Sequence, residues 1–169
     1  QVLFLHGGGT ASLPVMISLC GYYSFLFKAA LRGHNQSEGE AKHIRISIGG
    51  TEVGEVALPD FNYNDFASLP IYLSPGTYTL TFKEVNPASG DNTGFVDDLR
   101  MELVPSWQDA YAWDGPVPGS NDMVTIGAGS VIAMHGTLNA NQVTVNGTMA
   151  CPVNRDLELS AKKIMVLGS

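Results

Sequence analysis

Residues 43–58 read HIRISIGGTEVGEVAL, and this stretch decides the fold class. From Ile44 to Ile48 every second residue is isoleucine and the residues between are polar, which is the period of a strand with one buried face. Gly49-Gly50 then favours a tight turn, and Thr51–Leu58 reads as the returning strand. The stretch therefore predicts a β-hairpin whose isoleucine face lies in a core.

Similar strand-like runs extend outward on both sides of this hairpin. They are short, rich in Val, Ile, Thr, Tyr and Phe, and separated by Gly, Pro and Asn, while helical periodicity is nearly absent. About eight strands in residues 1–104 indicate a β-sandwich. Besides the hairpin, we predict strands at Val2–Leu5, Leu13–Cys20, Tyr22–Arg32, Ile71–Leu73, Thr77–Glu84 and Gly94–Val104, with Pro59–Leu69 as a loop.

After Pro105 the character of the sequence changes. Residues 105–122 read as a linker, and its aromatic residues, Trp107, Tyr111 and Trp113, are predicted to anchor one part of the chain to the other. A surface on which sugar rings stack is the alternative role for these side chains.

From residue 123 onward the sequence is repetitive. The segments MVTI (123–126), QVTV (142–145) and KIMV (163–166) recur about every 20 residues, which is typical of a β-solenoid. Shorter strand-like runs lie between them: SVIAM (130–134), GTMA (147–150) and DLELS (156–160). We therefore predict an all-β chain: a sandwich followed by a short β-solenoid, or parallel β-helix, segment.

A solenoid coil buries its apolar face only against a neighbouring coil. Ile164 and Val166 of the last coil are therefore expected to face water unless more polypeptide or a second subunit covers them. Val2–Leu5 is expected to be open in the same way. Continuation of the polypeptide and self-assembly through these open strand edges are both compatible with the sequence.

The composition excludes some classes of function. The chain has 169 residues, 9 of them basic and 16 acidic, so its net charge is −7. This balance argues against binding to nucleic acid or to an anionic membrane. No apolar run approaches the ~18 residues that span a bilayer, so no membrane insertion is expected. Cys20 and Cys151 are too few for a disulfide framework, and no Cys or His pair has metal-ligand spacing.

Residues 1–104 resemble galactose-binding-like domains, the jelly-roll class that includes many carbohydrate-binding modules. The similar stretches are VLFLHGGGTAS, GYYSFLFKAALR and SPGTYTLTFKEVNPASGDNTGFVDDLRMEL. The resemblance implies a jelly-roll sandwich, a glycan or polysaccharide as ligand, and an extracellular, secreted or cell-surface protein. Such domains usually carry one or two further strands before the segment that matches Val2–Leu5.

Residues 113–169 resemble the start of the G8 (eight-glycine) domain. The matching pattern is a VTI-AG--V strand pair, an L----VTVNGT coil and the segment DLELSAKKIMVLG. The resemblance implies an extracellular domain that precedes a parallel β-helix in a large bacterial surface protein. Met134-His135 stands where the family often has Asp, so no role of that Asp is carried over.

Asp97 and Asp98 are the candidate metal ligands. Asp97 shares strand parity with Phe95 and Leu99, so we expect its carboxylate to point inward, where it must be paired, hydrogen-bonded or metal-bound. The resemblance implies a structural Ca²⁺ held by acids of the last strand and of an early loop. A hydrogen-bonding role without metal is the alternative.

A glycan site is predicted where polar residues follow the strands. The loops at one end of a jelly roll cluster in space, and sugar sites combine polar groups with an aromatic platform. In the alternative interpretation Arg32 pairs with Asp91, and the aromatic residues belong to the edge of the core. The candidate ligand-binding residues are Arg32, His34, Asn35, Tyr63, Phe66, Asp91 and Asn92.

No set of residues forms a catalytic constellation: no pair of carboxylates stands out for glycoside hydrolysis, and no nucleophile has a His partner. The sequence therefore favours a non-catalytic carbohydrate-binding or accessory region of a larger extracellular protein. The alternatives are a subunit of a surface fibre or adhesin, and the accessory N-terminal part of a β-helix polysaccharide-degrading enzyme.

Overall fold

A computed structural model describes residues 2–32, 42–85, 93–152, 154 and 156–167. The regular elements of this described part are strands, apart from one short 3-10 helix at Ala110–Ala112. No helix in it has the length and apolar character needed to cross a membrane. The chain divides into two compact units: Gln1–Cys20, Ser24–Leu69 and Leu73–Glu102 form the first, and Gly21–Tyr23, Pro70–Tyr72 and Leu103–Ser169 form the second.

The first unit is a β-sandwich of two sheets, so the predicted sandwich is confirmed. One sheet has the order β1-β9-β3-β6, with β7 beside β3, and the other has the order β2-β8-β4-β5. The strands are β1 Leu3–His6, β2 Thr10–Ile17, β3 Gly21–Leu31, β4 Lys42–Ile48, β5 Thr51–Leu58, β6 Asn64–Ala67, β7 Ile71–Leu73, β8 Gly76–Val85 and β9 Thr93–Val104.

The predicted hairpin forms the centre of the second of these sheets. Antiparallel β4 pairs with β5 on one side and with β8 on the other. Its isoleucines are fully buried, and Phe82 of β8 meets Phe27 of the opposite sheet with ring centroids 5.2 Å apart. The turn at Gly49 and Gly50 has φ angles of 57° and 85°, which glycine adopts without strain.

Two boundaries in the first unit differ from the predictions. β6 lies inside Pro59–Leu69, which was expected to be a loop, because pairing with β3 sets Phe66 opposite Phe27. The segment NDFA has no strand period of its own, so only the tertiary pairing makes it a strand. β2 spans Thr10–Ile17 instead of Leu13–Cys20, because its ladder with β8 runs from Thr10 to Ile17.

The second unit contains two parallel sheets, with the orders β10-β12-β14 and β11-β13. Val124 pairs with Val143, which in turn pairs with Ile164, so the three repeated segments lie side by side in register. The strands are β10 Met123–Ile126, β11 Val131–Ala133, β12 Thr137–Val145, β13 Thr148–Ala150 and β14 Glu158–Val166. DLELS and KIMV, predicted as separate runs, are joined in β14.

The core of the second unit lies beneath these strands. Its buried members are Trp107, Val124, Ile126, Ile132, Met134, Leu138, Ala140, Val143 and Val145. Residues 105–122, expected to be a linker, pack within this unit: Trp107 is buried in its core, and the Trp113 indole N–H donates to the Trp107 carbonyl over 2.9 Å. Tyr111 is instead exposed.

The last strand of the second unit is exposed on its apolar face. Ile164 and Val166 are 49% and 73% exposed, although their partners Val143 and Val145 on β12 are buried. Cys20 and Cys151, which also end apolar runs, are free and exposed.

Candidate functional site

Several segments of the first unit meet at one end of the sandwich. The Leu31 N–H donates to the Asp60 carbonyl, and the Arg32 N–H donates to the Thr93 carbonyl, each over 3.0 Å. His6 Nδ1 lies 3.1 Å from Thr93 Oγ1. The ends of β1 and β3, the start of β9 and the turn after β5 are thus joined by hydrogen bonds, as expected of loops at one end of a jelly roll.

The turn after β5 is organised by the Asp60 carboxylate. Its Oδ1 accepts hydrogen bonds from the Asn62 N–H over 2.8 Å and from Asn64 Nδ2 over 3.0 Å. Asn64 Nδ2 also donates to the Asn62 carbonyl. Hydrogen bonds to the charged form stabilise it, so the Asn62 N–H and the Asn64 amide lower the pKa of the Asp60 carboxyl. The turn therefore holds a negative charge at neutral pH.

Two aromatic side chains project into solvent from this turn. Phe61 is 55% exposed and Tyr63 is 45% exposed. They alternate along the chain with Asp60, Asn62 and Asn64, whose hydrogen bonds fix the backbone between them. The turn thus combines exposed ring faces with a carboxylate and amides, the mixture of groups that binds amphipathic ligands.

The structure places only part of the predicted glycan site. Arg32 and Tyr63 lie exposed at this end of the sandwich. Phe66 is half-buried and stacks on Phe27 with ring centroids 5.7 Å apart, which fits the alternative interpretation of a core-edge residue. The remaining candidates, His34, Asn35, Asp91 and Asn92, lie outside the described residues.

Sequence reasoning missed Asp60, Phe61 and Asn62. A signal was present, because Asp and Asn two residues apart favour side-chain to backbone hydrogen bonds that form Asx turns. The prediction of a loop at Pro59–Leu69 did not include the hydrogen bonds by which Asp60 orders the turn.

Glu84 is a second acid at this end that the sequence did not single out. It is buried, its Oε2 accepts a hydrogen bond from the Gly8 N–H over 3.0 Å, and its own N–H donates to the Gly9 carbonyl. The run His6–Gly9 forms the turn between β1 and β2. Gly7 and Gly8 have φ angles of 58° and 81°, and Glu84 holds this turn against β8.

The orientation predicted for Asp97 is wrong. Val96 is fully buried, whereas Asp97 is half-buried and Asp98 is exposed. The reason lies at Gly94, because a Cβ added to this residue would point into the core and touch Leu58 and Ile44. Gly94 and Val96 therefore face the core, and Asp97 between Val96 and Asp98 does not. Beyond them the strand is irregular, because Asp98 has a left-handed φ of 49°.

Asp97 and Asp98 line a groove of about 720 Å³ together with Leu3, Ser12, Leu13, Val96 and Leu99. Ca²⁺ takes about six to eight oxygen ligands. Two carboxylates and one hydroxyl fall short of that number, and the described part of the chain contains no group of three or more His, Cys, Asp or Glu residues that would hold a metal. The described residues by themselves therefore do not complete a calcium site.

Comparison with solved structures finds domains with a similar fold. The C-terminal domain of EclA, a sugar-binding protein, is similar with a TM-score of 0.50 and 13% identity, over 60% of this chain and 77% of that one. Carbohydrate-binding module CBM36, in complex with calcium and xylotriose, gives 0.47 and 12%, over 59% and 78%. A family 35 module from Clostridium thermocellum gives 0.44 and 17%, over 59% and 73%.

The second part of the chain has a match of its own. Residues 107–169 match the family model of the G8 domain, beginning at the buried Trp107. Comparison with curated protein sequences finds no significant match.

Proposed function

We propose that this chain is a non-catalytic, glycan-binding accessory region of a larger extracellular protein. The observation that carries the proposal is the Asp60–Asn64 turn, which presents Phe61 and Tyr63 to solvent beside Asp60. A sugar ring has apolar C–H faces, on which an aromatic ring can stack. It also has hydroxyl groups, which can donate hydrogen bonds to a carboxylate. A carboxylate has about four lone-pair sites, so Asp60 keeps acceptor capacity beyond its two internal bonds.

Arg32 supplies the complementary donors of the proposed site. Its backbone N–H is bonded to Thr93, and the N–H of its neighbour Leu31 is bonded to Asp60, so the Arg32 side chain begins beside the turn. Guanidinium N–H groups donate in a fixed fork and bind vicinal hydroxyls or a sugar carboxylate. The sugar-binding function of the EclA domain supports the same assignment by likeness of fold.

For the second unit we propose coils of a β-solenoid over residues 123–169. Three strands in parallel register with apolar residues stacked in columns support this proposal. The G8 match of this region supports an extracellular location. In a larger protein such coils suit an accessory region of a polysaccharide-degrading enzyme and, as the second candidate, a self-assembling surface fibre.

Structural Ca²⁺ at Asp97 and Asp98 remains a proposal. Both carboxylates line one groove, and the carbohydrate-binding module CBM36 was solved with calcium. An ion held there would take its other ligands from water.

A glycan array probed with the intact chain tests the proposed function, followed by calorimetric titration of the best ligand. Phe61→Ala and Tyr63→Ala are each expected to weaken binding about tenfold, because each removes one ring face. Tyr111→Ala is the matched control, since Tyr111 is 68% exposed in the second unit and is expected to have no effect. Binding that survives both substitutions at the turn, or the absence of any bound glycan, contradicts the proposal.

A further inference from the structure

The second unit carries a cleft of about 290 Å³ that the proposed glycan site does not use. Its walls come from the segment before β10 and from β10 itself. This volume lies at the lower end of the range for small-molecule sites, so it suits one sugar ring or one head group. The lining includes Trp113, Pro116, Pro118, Asp122, Met123 and Thr125.

Trp113 has only its ring to offer to a ligand in this cleft. Its Nε1 donates to the Trp107 carbonyl over 2.9 Å, and its ring meets the buried Trp107 ring edge-on, with centroids 5.1 Å apart. The half-buried Trp113 is therefore held in one orientation, and its polar group is already used. The π surface that remains attracts C–H groups and cations.

Asp122 brings a carboxylate to the cleft on an ordered turn. Its Oδ2 accepts a hydrogen bond from the Gly119 N–H over 2.7 Å, and its own N–H donates to the Gly119 carbonyl over 3.0 Å. The Asp122 carbonyl accepts from the N–H groups of Asn141 and Gln142, which fixes the turn to β12. A carboxylate has about four lone-pair sites, so Asp122 keeps acceptor capacity for a ligand.

The charge around the cleft favours a cation. Residues 103–134 contain three acids and no Lys, Arg or His. These acids are Asp109, Asp114 and Asp122. Lys163 lies two strands away from Met123, about 10 Å across the sheet. That is about one Debye length at 0.1 M salt, so its effect on the cleft is small. The cleft is therefore suited to a positively charged ligand.

We propose that this cleft binds one positively charged amino sugar residue of a polysaccharide. The C–H face of the sugar ring stacks on Trp113, and its ammonium group pairs with the Asp122 carboxylate. An aromatic face and a carboxylate both attract an ammonium group, and Thr125 adds a hydroxyl for the sugar hydroxyls. The choice of a sugar as carrier of the charge rests on the proposed function, whereas the charge itself is argued from the cleft alone.

Tryptophan fluorescence tests the proposal. The chain contains two tryptophans, Trp107 and Trp113, and both lie in the second unit, so their emission reports on this cleft and not on the Asp60–Asn64 turn. Titration of the intact chain with an oligosaccharide of unacetylated glucosamine is expected to change the emission with saturation, at a Kd of about 0.1–10 mM. The N-acetylated oligosaccharide of the same length lacks the charge and is expected to bind about tenfold more weakly.

Two matched substitutions test the role of the carboxylate. Asp122→Asn is expected to weaken binding of the unacetylated oligosaccharide about tenfold, because it removes the charge. It keeps an oxygen that accepts the Gly119 N–H, and a thermal melt confirms that the variant is folded. Asp114→Asn is the control, because Asp114 is exposed beside Trp113 in the sequence but does not line the cleft. It is expected to change the affinity less than about twofold.

The double substitution Phe61→Ala and Tyr63→Ala separates this site from the proposed glycan site, because it is expected to leave the fluorescence titration unchanged. A fluorescence response that persists while the array finds no other ligand contradicts the proposed function alone. The absence of a saturable response up to ~50 mM overturns the amino sugar site. Equal affinity for the two oligosaccharides, equal losses in Asp122→Asn and Asp114→Asn, or equally tight binding of an oligolysine peptide overturns it as well.

Discussion

The backbone N–H of Leu31 donates a 3.0 Å hydrogen bond to the carbonyl oxygen of Asp60. This bond ties the last residue of β3 to the turn that carries Phe61 and Tyr63. β3 lies between β9 and β6 inside its sheet, so the turn is attached to a rigid element. A recognition site on such a support loses less conformational entropy when it binds a ligand.

Asp60→Ala is expected to weaken glycan binding several-fold and to change the melting temperature little. The substitution removes the bonds to the Asn62 N–H and the Asn64 amide, so the backbone between the two aromatic residues loses its order. Calorimetric titration and a thermal melt measure the two effects. Asp65→Ala is the control, because Asp65 lies on β6 and forms an exposed 3.0 Å ion pair with Lys28 on β3. Equal losses of affinity in both variants would contradict the role given to Asp60.

Glycan affinity is expected to stay constant as the pH falls from 7 to the ordinary aspartate pKa of 3.8. Hydrogen bonds lower the pKa of Asp60 in the folded chain, so the stabilisation of the turn is present above the unfolded-state pKa. It is lost only as the pH falls through the lower folded-state pKa. Titrations at a series of pH values measure this, and Asp60→Asn should remove the acid loss. An affinity that already falls near pH 5 would exclude Asp60 as the titrating group.

The hairpin and the repeat could be predicted from the sequence because both are local patterns. Isoleucine at every second position and a Gly-Gly turn specify β4 and β5 without knowledge of the rest of the fold. The repeated segments around Val124, Val143 and Ile164 likewise align in the sequence as they do in the parallel sheet.

Long-range contacts explain the predictions that failed. β6 is a strand only because Phe66 pairs opposite Phe27 on β3, and the sequence separation of these residues hides the pairing. The inward orientation of Asp97 was predicted from its alternation with Phe95 and Leu99. Which face of β9 lies in the core is instead determined by Ile44 and Leu58 of the other sheet, which lie against Gly94. No local period records a constraint of this kind.

Removal of calcium tests the remaining metal proposal. If Asp97 and Asp98 bind Ca²⁺ in the folded chain, EDTA lowers the melting temperature by a few degrees, because a ligand that binds only the folded state stabilises it. The double substitution Asp97→Asn and Asp98→Asn should abolish this shift, while Asp65→Asn should preserve it. A melting temperature that EDTA leaves unchanged would restrict both acids to hydrogen bonds and ion pairs.

Gly147→Ala is expected to destabilise the second unit by about 1–3 kcal/mol, the usual cost of overpacking. An added Cβ would collide with the Gly127 carbonyl oxygen and would lie 2.5 Å from that of Ser130. Both neighbours are backbone atoms and cannot move aside as a side chain can. Chemical denaturation measures the loss, and Gly115→Ala is the control, since nothing lies within 4 Å of its added Cβ. Equal stability of the two variants would show that the approach of these segments is not tight.

Val143→Ala and Ile164→Ala test the stacking of the parallel strands. Val143 is fully buried between Val124 and Ile164, so its truncation is expected to cost about 2 kcal/mol. Ile164 is 49% exposed at the end of the same column, so its larger truncation is expected to cost less than about 1 kcal/mol. Denaturation at low protein concentration, where copies do not associate, gives both values. If a further strand covered Ile164 in solution, its substitution would cost as much as that of Val143. If that strand came from a second copy, the cost of the Ile164 substitution would rise with protein concentration.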